Sequence, residues 1–327
     1  MKKQPRFSVT IPAYKRKYLK ECIKSILLQT YTDFEVIIVN DASPEDLDSI
    51  VNEFNDKRIR YYTNEKGCGA VDVVDNWNIC LGYVTGNYLI CMGDDDKLLP
   101  NCLEEYNKLI VKYPGLGLYH GWTEIIDEES KVTRMQEARP LFESVYSAIW
   151  HRWNGRIQFI GDYLFDTKIL RNNGGFYKLP LAWGSDDLSA FIAATHGGVA
   201  NTQIPVFQYR VNTLNISNTG NSDIKMDAVL LYEKAISILL LKESDSDDIV
   251  FNTYKQMCNN ELYHTIVKKK VHEIRMSIIR EGFARCFFWF NKKQKYGLSF
   301  TLICWSLLDA LKTILFSKKK NQYKENL

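Results

Sequence analysis

Residues 87–100 read NYLICMGDDDKLLP, a short apolar run that ends in Gly93 and three consecutive aspartates. The apolar side chains from Tyr88 to Met92 suit a strand covered on both faces, and the run is too short for a buried helix. Asp94, Asp95 and Asp96 then set three carboxylates side by side, where they repel one another unless something cationic neutralises them. A strand that ends this way asks what its neighbours bring to the same place.

Upstream, short apolar runs alternate with amphipathic stretches. FSVTIPAY (7–14) reads as a strand that Pro12 ends, and YLKECIKSILLQT (18–30) carries apolar residues at 19, 22, 23, 26 and 27, a helical period. FEVIIVND (34–41) is nearly continuous and β-branched, as a doubly covered parallel strand should be. SPEDLDSIVNEFN (43–55) opens with Ser43 as a helix cap, Pro44 at the first helical position and acids in the first turn. RIRYYTN (58–64) is a third strand and VDVVDNWNICLGYV (71–84) a third helix. Such alternation predicts βαβ units and an α/β fold with a mostly parallel sheet.

Ligands of open α/β sheets collect at the carboxyl ends of strands. Here those ends are Pro12-Ala13-Tyr14-Lys15, Asn40-Asp41-Ala42-Ser43, Asn64-Glu65-Lys66-Gly67 and Gly93-Asp94-Asp95-Asp96. Two of the four are acidic, which favours a bridging cation over a bare phosphate. No GxGxxG follows the first strand and no GxxxxGK[ST] occurs, which argues against dinucleotide and P-loop sites.

Composition narrows the class further. With 327 residues, 46% hydrophobic and 25% charged, the chain has room for one large α/β domain and an appendage. Net charge is only +3, but from Leu231 onward 17 Lys and Arg face 10 Asp and Glu. A mildly acidic body with a basic tail does not suggest a nucleic-acid binder, and it suits peripheral contact with an anionic membrane. The eight cysteines show no CxxC pair and no metal spacing, and the N-terminus carries no signal-like apolar stretch. A reducing cytoplasm is the compartment these features predict.

The pattern resembles a family 2 glycosyltransferase of GT-A fold, a Rossmann-like, mostly parallel sheet flanked by helices. The resemblance rests on VTIPAYKR (9–16), VIIVNDASPED (36–46), DNWNICLGYVTGNYLICMGDDDKLLP (75–100), GSDDLSAFIAATHGG (184–198) and YRVNTLNIS (209–217). It implies an inverting, metal-dependent enzyme with a nucleotide-diphosphate sugar lying across the strand ends. Pro12, Ala13 and Tyr14, with Arg16 beside them, would flank the base, and Asp41 would accept a hydrogen bond from a uracil-like ring, although Asp41 also suits an Asx turn. Asp95 would meet the sugar or ribose. Asp96 is the foremost candidate ligand of a divalent cation, Mn²⁺ or Mg²⁺, with Asp94 as a second. Gly93 stands where the family has the first acid of its run. Asn78, and Asn76 before it, match a variant of the family's asparagine in the third helix, and Arg210 would approach the diphosphate.

Inverting transfer also needs a base for the acceptor hydroxyl. The resemblance places it at Asp186 or Asp187, at the head of a helix that Ser185 would cap and Gly197-Gly198 would stop, and the residues do not choose between the two acids. As a plain alternative, either acid could serve only to favour the helix dipole. His120, Trp122, Trp150, His151 and Trp153 fall in the acceptor half and read as core. The absence of QxxRW favours one sugar per encounter.

The expected organisation is a catalytic domain over 1–222, with a nucleotide-sugar half (1–100) and an acceptor half (101–222), then a helical extension over 223–327. In that extension LSFTLICWSLLDALKTILF (298–316) has the length of a membrane span, but Asp309 and Lys312 interrupt it and lysines flank both ends. It reads as an interfacial helix whose polar face holds Ser299, Ser306, Asp309 and Thr313, or as a helix packed on the domain or a partner. The implied function is transfer of a sugar, with a UDP-sugar the expected donor, to a glycan or lipid-linked acceptor in cell-surface polysaccharide synthesis. A nucleotidyltransferase acting on sugar phosphates and an inactive sugar-binding protein of the same fold are the alternatives.

Overall fold

The β-branched runs of the first ninety residues form a parallel sheet. The computed structural model describes residues 5–212, 221–241 and 246–325, with backbone only from 316 onward. Strands β1 (Phe7–Ala13), β2 (Phe34–Asn40), β3 (Ile59–Thr63) and β4 (Tyr88–Cys91) pair in parallel in the order β3-β2-β1-β4. Every residue of β2 is buried, which explains its unbroken apolar character. Helices α1 (Leu19–Leu27), α2 (Asp48–Val51) and α3 (Val73–Tyr83) connect these strands.

Two local expectations fail for identifiable reasons. Pro12 does not end β1 but sits inside it opposite Val39. Pairing with β4 stops at Thr10–Cys91, so the N–H that proline lacks falls beyond the last rung on that side. The second helix begins at Asp48 rather than at Pro44. Ser43 is occupied elsewhere: its hydroxyl donates to the Tyr14 carbonyl, 2.6 Å, and accepts from the Glu45 N–H, so the 41–47 stretch folds as a loop over the end of β1.

Beyond β4 the sheet becomes mixed. β5 (Lys97–Leu98), α4 (Cys102–Lys112), β6 (Leu118–Ile126), β7 (Val132–Met135), β8 (Phe142–Glu143) and α5 (Val145–Trp153) lead to β9 (Tyr163–Asp166), α6 (Thr167–Asn172), α7 (Ser185–Ala194) and β10 (Val199–Arg210). The main order is β3-β2-β1-β4-β9-β6-β10-β5, with β7 on β6 and β8 on β10. β9 runs antiparallel between β4 and β6, while β10 is parallel to β6. α7 stops before Gly197 and Gly198, both at φ +95°, as the paired glycines predict. Ser185, however, does not cap it: its hydroxyl accepts from the Leu179 N–H, and Gly184 precedes the helix instead.

The chain divides into two compact units, Met1–Asn218 with Glu243–Cys258, and Thr219–Lys242 with Asn259–Leu327. The division therefore falls slightly before the expected residue 222, and a later segment belongs with the first unit. That segment packs there through Phe251 edge-on to Tyr146 and the Cys258 thiol against the Tyr146 carbonyl. The second unit contains α8 (Ser222–Leu241), most of α9 (Ile249–Glu281), α10 (Arg285–Asn291), α11 (Lys293–Tyr296) and α12 (Phe300–Glu325). Its core gathers Met226, Ile274, Ile278, Trp289, Tyr296 and Ile303. Among the described residues no helix is long and apolar enough to cross a membrane.

Candidate active site

Parallel pairing of β1 to β4 brings their carboxyl ends to one edge of the sheet, and the strand order reverses between β1 and β4. Asp94 sits at that junction. Its Oδ2 accepts from the Tyr14 and Lys15 backbone N–H groups at 2.7 and 2.6 Å, tying the end of β4 to the end of β1. Asp95 accepts from the Lys15 ammonium at 3.3 Å and from the Asn212 amide at 2.7 Å. Asp96 accepts through Oδ1 from the Arg210 N–H at 2.9 Å. All three carboxylates are buried. Burial, and then the charge of Asp95, push Asp94 up to about 6 and raise Asp96 well above the usual carboxylate range.

Arg210 is placed differently from its expected role. Its side chain is fully buried and donates to the carbonyls of Asp95, Asp127 and Glu128 and to the Glu21 carboxylate, while stacking over Tyr18 at 4.2 Å. It braces the acid triplet from behind and does not reach into the crevice. Of the YRVNTLNIS motif, residues 213–217 lie outside the described residues.

Gly93 shows how the acids are arranged. A Cβ there would lie 2.9 Å from Asp95 Oδ1 and 3.1 Å from Asp96 Oδ2, so both oxygens crowd the same side of Gly93, whose backbone N–H also donates to the Asp96 carboxylate. Two hard carboxylate oxygens gathered at one point beside the carboxyl ends of the parallel strands are of the donor type that suits a Mg²⁺ or Mn²⁺ ion. Among the described residues no group of three His, Cys, Asp or Glu side chains forms a protein-only cage.

Asp41 is buried at the end of β2. Its carboxylate accepts from the Cys68 and Gly69 N–H groups and the Asn64 amide, gathering the loop after β3, and Asn64 also donates to Asn76. Pro12 is half-buried, Ala13 buried and Tyr14 exposed, so the β1 end offers an open face beside this loop. Arg16 is exposed and donates to Ser49 and, through its backbone, to Glu45. Asn78 stands apart from this group: its amide donates to the Phe176 carbonyl and accepts from the Phe176 N–H. Asn76 rather than Asn78 therefore joins the Asp41 network.

In the second half of the first unit Asp187 is buried in the first turn of α7, and its Oδ1 accepts from Arg152 at 2.7 Å and from Gln158 at 2.8 Å. Its Oδ2 has no hydrogen-bond partner among the described residues. Burial disfavours the Arg152 charge, but Asp187 and Asp186 more than offset that, keeping it cationic. Asp186, next to it, is half-buried. The turn after Gln158 links the two halves. Phe159 stacks on Tyr209 at 3.6 Å, and Tyr209 precedes the Arg210 that holds Asp96. Asp162 in the same turn is fully buried and accepts from Gln136 at 2.6 Å and Thr123 at 3.3 Å, with His120 3.6 Å away. Burial, followed by the Arg139 charge, lowers the His120 pKa.

Lys15, Asn212, Glu21, Arg152 and Gln158 are the contacts that sequence reading missed. Lys15 and Asn212 lie inside quoted motifs and were within reach. Arg152 and Gln158 carry no local signal, because only the antiparallel return of β9 brings their segment to α7.

With this geometry established, comparison with known proteins identifies the class. The chain matches the model for Glycosyl transferase family 2 over residues 8–177, more than half its length, and it belongs to that family. It is 38% identical over 109 residues to the putative colanic acid biosynthesis glycosyl transferase WcaA of Escherichia coli K12, covering 32% of this chain and 38% of WcaA. The curated relatives it matches are thus spanned over about two fifths of their length or less. Among solved structures, S. aureus TarS 1–349 in complex with UDP-GlcNAc superposes with a TM-score of 0.61 at 14% identity, covering 83% of this chain and 81% of that one. The mannosyltransferase PcManGT of Pyrobaculum calidifontis, in complex with GDP-Man and Mn²⁺, superposes at 0.55 and 15% identity over 97% and 89%. The shared fold is the GT-A arrangement, a mostly parallel central sheet between helices, here with a helical C-terminal region.

Proposed function

We propose that this protein is an inverting, non-processive glycosyltransferase that moves a sugar from a nucleotide-diphosphate donor to a hydroxyl of a glycan or lipid-linked acceptor. Cell-surface polysaccharide synthesis at the cytoplasmic face of the membrane is the setting, in keeping with the similarity to WcaA. The observation that carries this reading is the buried triplet Asp94–Asp96 at the strand-order reversal, with Asp95 Oδ1 and Asp96 Oδ2 brought together beside Gly93. UDP is the expected nucleotide, with the Asp41 carboxylate beside the open β1 end as the group that would accept from its base.

Asp96 with Asp95 would hold the divalent cation, while Asp94 anchors the β4 end to β1. When bound, such an ion screens the acids and neutralises charge on the departing nucleoside diphosphate. The chain's own residues do the rest. Arg210 and Lys15 fix the carboxylates, and Pro12, Ala13, Tyr14 and the Asp41 loop position the nucleotide. Asp187, held by Arg152 and Gln158 through one oxygen, presents the other to take the acceptor's proton as the hydroxyl attacks the anomeric carbon. Asp186 is the second candidate for that role.

The reading is tested by thermal shift with a panel of nucleotide sugars, with and without Mn²⁺, since a ligand of the native state raises the melting temperature. Mn²⁺-dependent stabilisation by a UDP-sugar and release of nucleoside diphosphate are expected. Release of pyrophosphate would instead identify a nucleotidyltransferase, and binding without any release an inactive sugar-binding protein.

A further inference from the structure

On α12 one face of the 298–316 segment packs within the second unit, where Ile303, Ser306 and Ala310 are fully buried, while Ser299 and Thr313 are exposed. Ser306 is fully buried and donates to the Leu302 carbonyl, and Asp309 pairs with Arg275 of α9 at 3.2 Å. The opposite side presents Trp305, Leu308 and Leu315, which are 63, 48 and 61% exposed. With Lys312, these residues fall at helical spacings of three and four and share one stripe. Phe287 of α10 and Phe300 at the start of α12 are also exposed, at 75 and 65%. Large apolar side chains on an outer helix face are costly in water and mark a surface that meets something else.

We infer that this α12 stripe is a docking surface for an anionic lipid bilayer, on which the protein lies without crossing it. The charge pattern selects this partner. From Phe283 to Leu315 there are five Lys and Arg and one acid, Asp309, which is already paired. Lys292, Lys293 and Lys312 are exposed and have no carboxylate partner among the described residues. A lysine inside an apolar stripe is disfavoured in a protein–protein contact, whose core is depleted of Lys. At a bilayer surface the same lysine extends its charge to the headgroups while its stem, Trp305 and the leucines enter the acyl boundary. The inference deepens the cytoplasmic-face reading above, but its test does not require that sugar transfer occur.

The full-length protein is mixed with phosphatidylcholine vesicles, with or without phosphatidylglycerol, and bound protein is measured by flotation. Binding is expected only with the anionic lipid, and it should weaken as salt is raised. Lys312→Ala should lower affinity about fivefold and Lys292→Ala/Lys293→Ala about twentyfivefold, from the contribution of each basic residue near such a surface. Trp305→Ser/Leu308→Ser should abolish binding. Each variant should keep the wild-type melting temperature and nucleotide-sugar shift, which separates failure of docking from failure of the fold or of the donor site. Absence of binding to anionic vesicles overturns the inference, as does equal binding to neutral ones. A self-association in solution that Trp305→Ser disrupts, with no vesicle binding, would overturn it in favour of a second copy.

Discussion

The two halves of the first unit build their polar clusters by opposite means. In residues 1–100, parallel strands end together, and each end delivers its polar groups from consecutive residues: Pro12 to Lys15, Asn40-Asp41, and Gly93 to Asp96. In the half that follows, the polar groups are single residues drawn from far apart, with Arg152, Gln158 and Asp187 meeting across α5, a turn and α7. Parallel sheets concentrate function at loops by topology. A mixed sheet with an antiparallel return instead assembles its polar cluster by burying side chains from distant segments against one another.

Substitutions can break or sharpen this contrast. The largest effect is expected for Asp187→Asn, which should cut turnover about 10²–10⁴-fold, the range of general-base catalysis, while leaving the Mn²⁺-dependent donor shift intact. Single-turnover kinetics beside thermal shift would check it. A full loss in Asp186→Asn with none in Asp187→Asn would exchange their roles. Asp96→Ala should do the reverse, removing the Mn²⁺-dependent part of UDP binding and with it about 10²–10³-fold of turnover.

Two buried arginines come next. Arg210→Ala and Arg156→Ala, the latter breaking the pair in which Arg156 Nη1 donates to both Glu143 oxygens at 2.7 and 2.9 Å, should each destabilise the fold by about 3 kcal/mol in denaturant unfolding. Only the former should also weaken Mn²⁺-dependent nucleotide binding, because only Arg210 braces the acids. Equal binding in both variants would separate Arg210 from the site.

The smallest effect concerns the base of the parallel sheet. Glu35 is desolvated, which favours its neutral form, yet bonds from Ser8, the Thr85 N–H and Arg60 outweigh that and hold its pKa below the ordinary 4.5. A depressed folded pKa contributes stability that is complete above 4.5 and drains away as pH falls through the folded value. Glu35→Gln should therefore cost about 1–2 kcal/mol near neutral pH and flatten the acid limb of the stability curve.

The same contrast explains what the sequence made legible. The β-branched runs of β1, β2 and β4 and the acids at their ends were readable because parallel strands carry continuous apolar signals and place function next to them. The helix expected at Pro44 failed because capping grammar is local, whereas Ser43 answers to Tyr14 across the sheet. Arg210 was misread for a similar reason. An arginine beside a crevice looks the same in sequence whether it faces the ligand or the acids behind it. Asn78 and Asn76 differ by half a helical turn, and only the fold determines which of them faces Asp41. On α12 the composition predicted an amphipathic helix but not that Ser306 would be buried and Asp309 would pair with Arg275, leaving Trp305, Leu308 and Leu315 exposed.

The most direct test is a crystal structure with UDP and Mn²⁺, with the ion located by its anomalous scattering. The account predicts an anomalous peak within coordination distance of Asp96 and Asp95, shared with the diphosphate, and the uracil beside Tyr14 and Asp41. A peak or diphosphate bound away from the β4 end, with Asp95 and Asp96 making no contact to either, would contradict it.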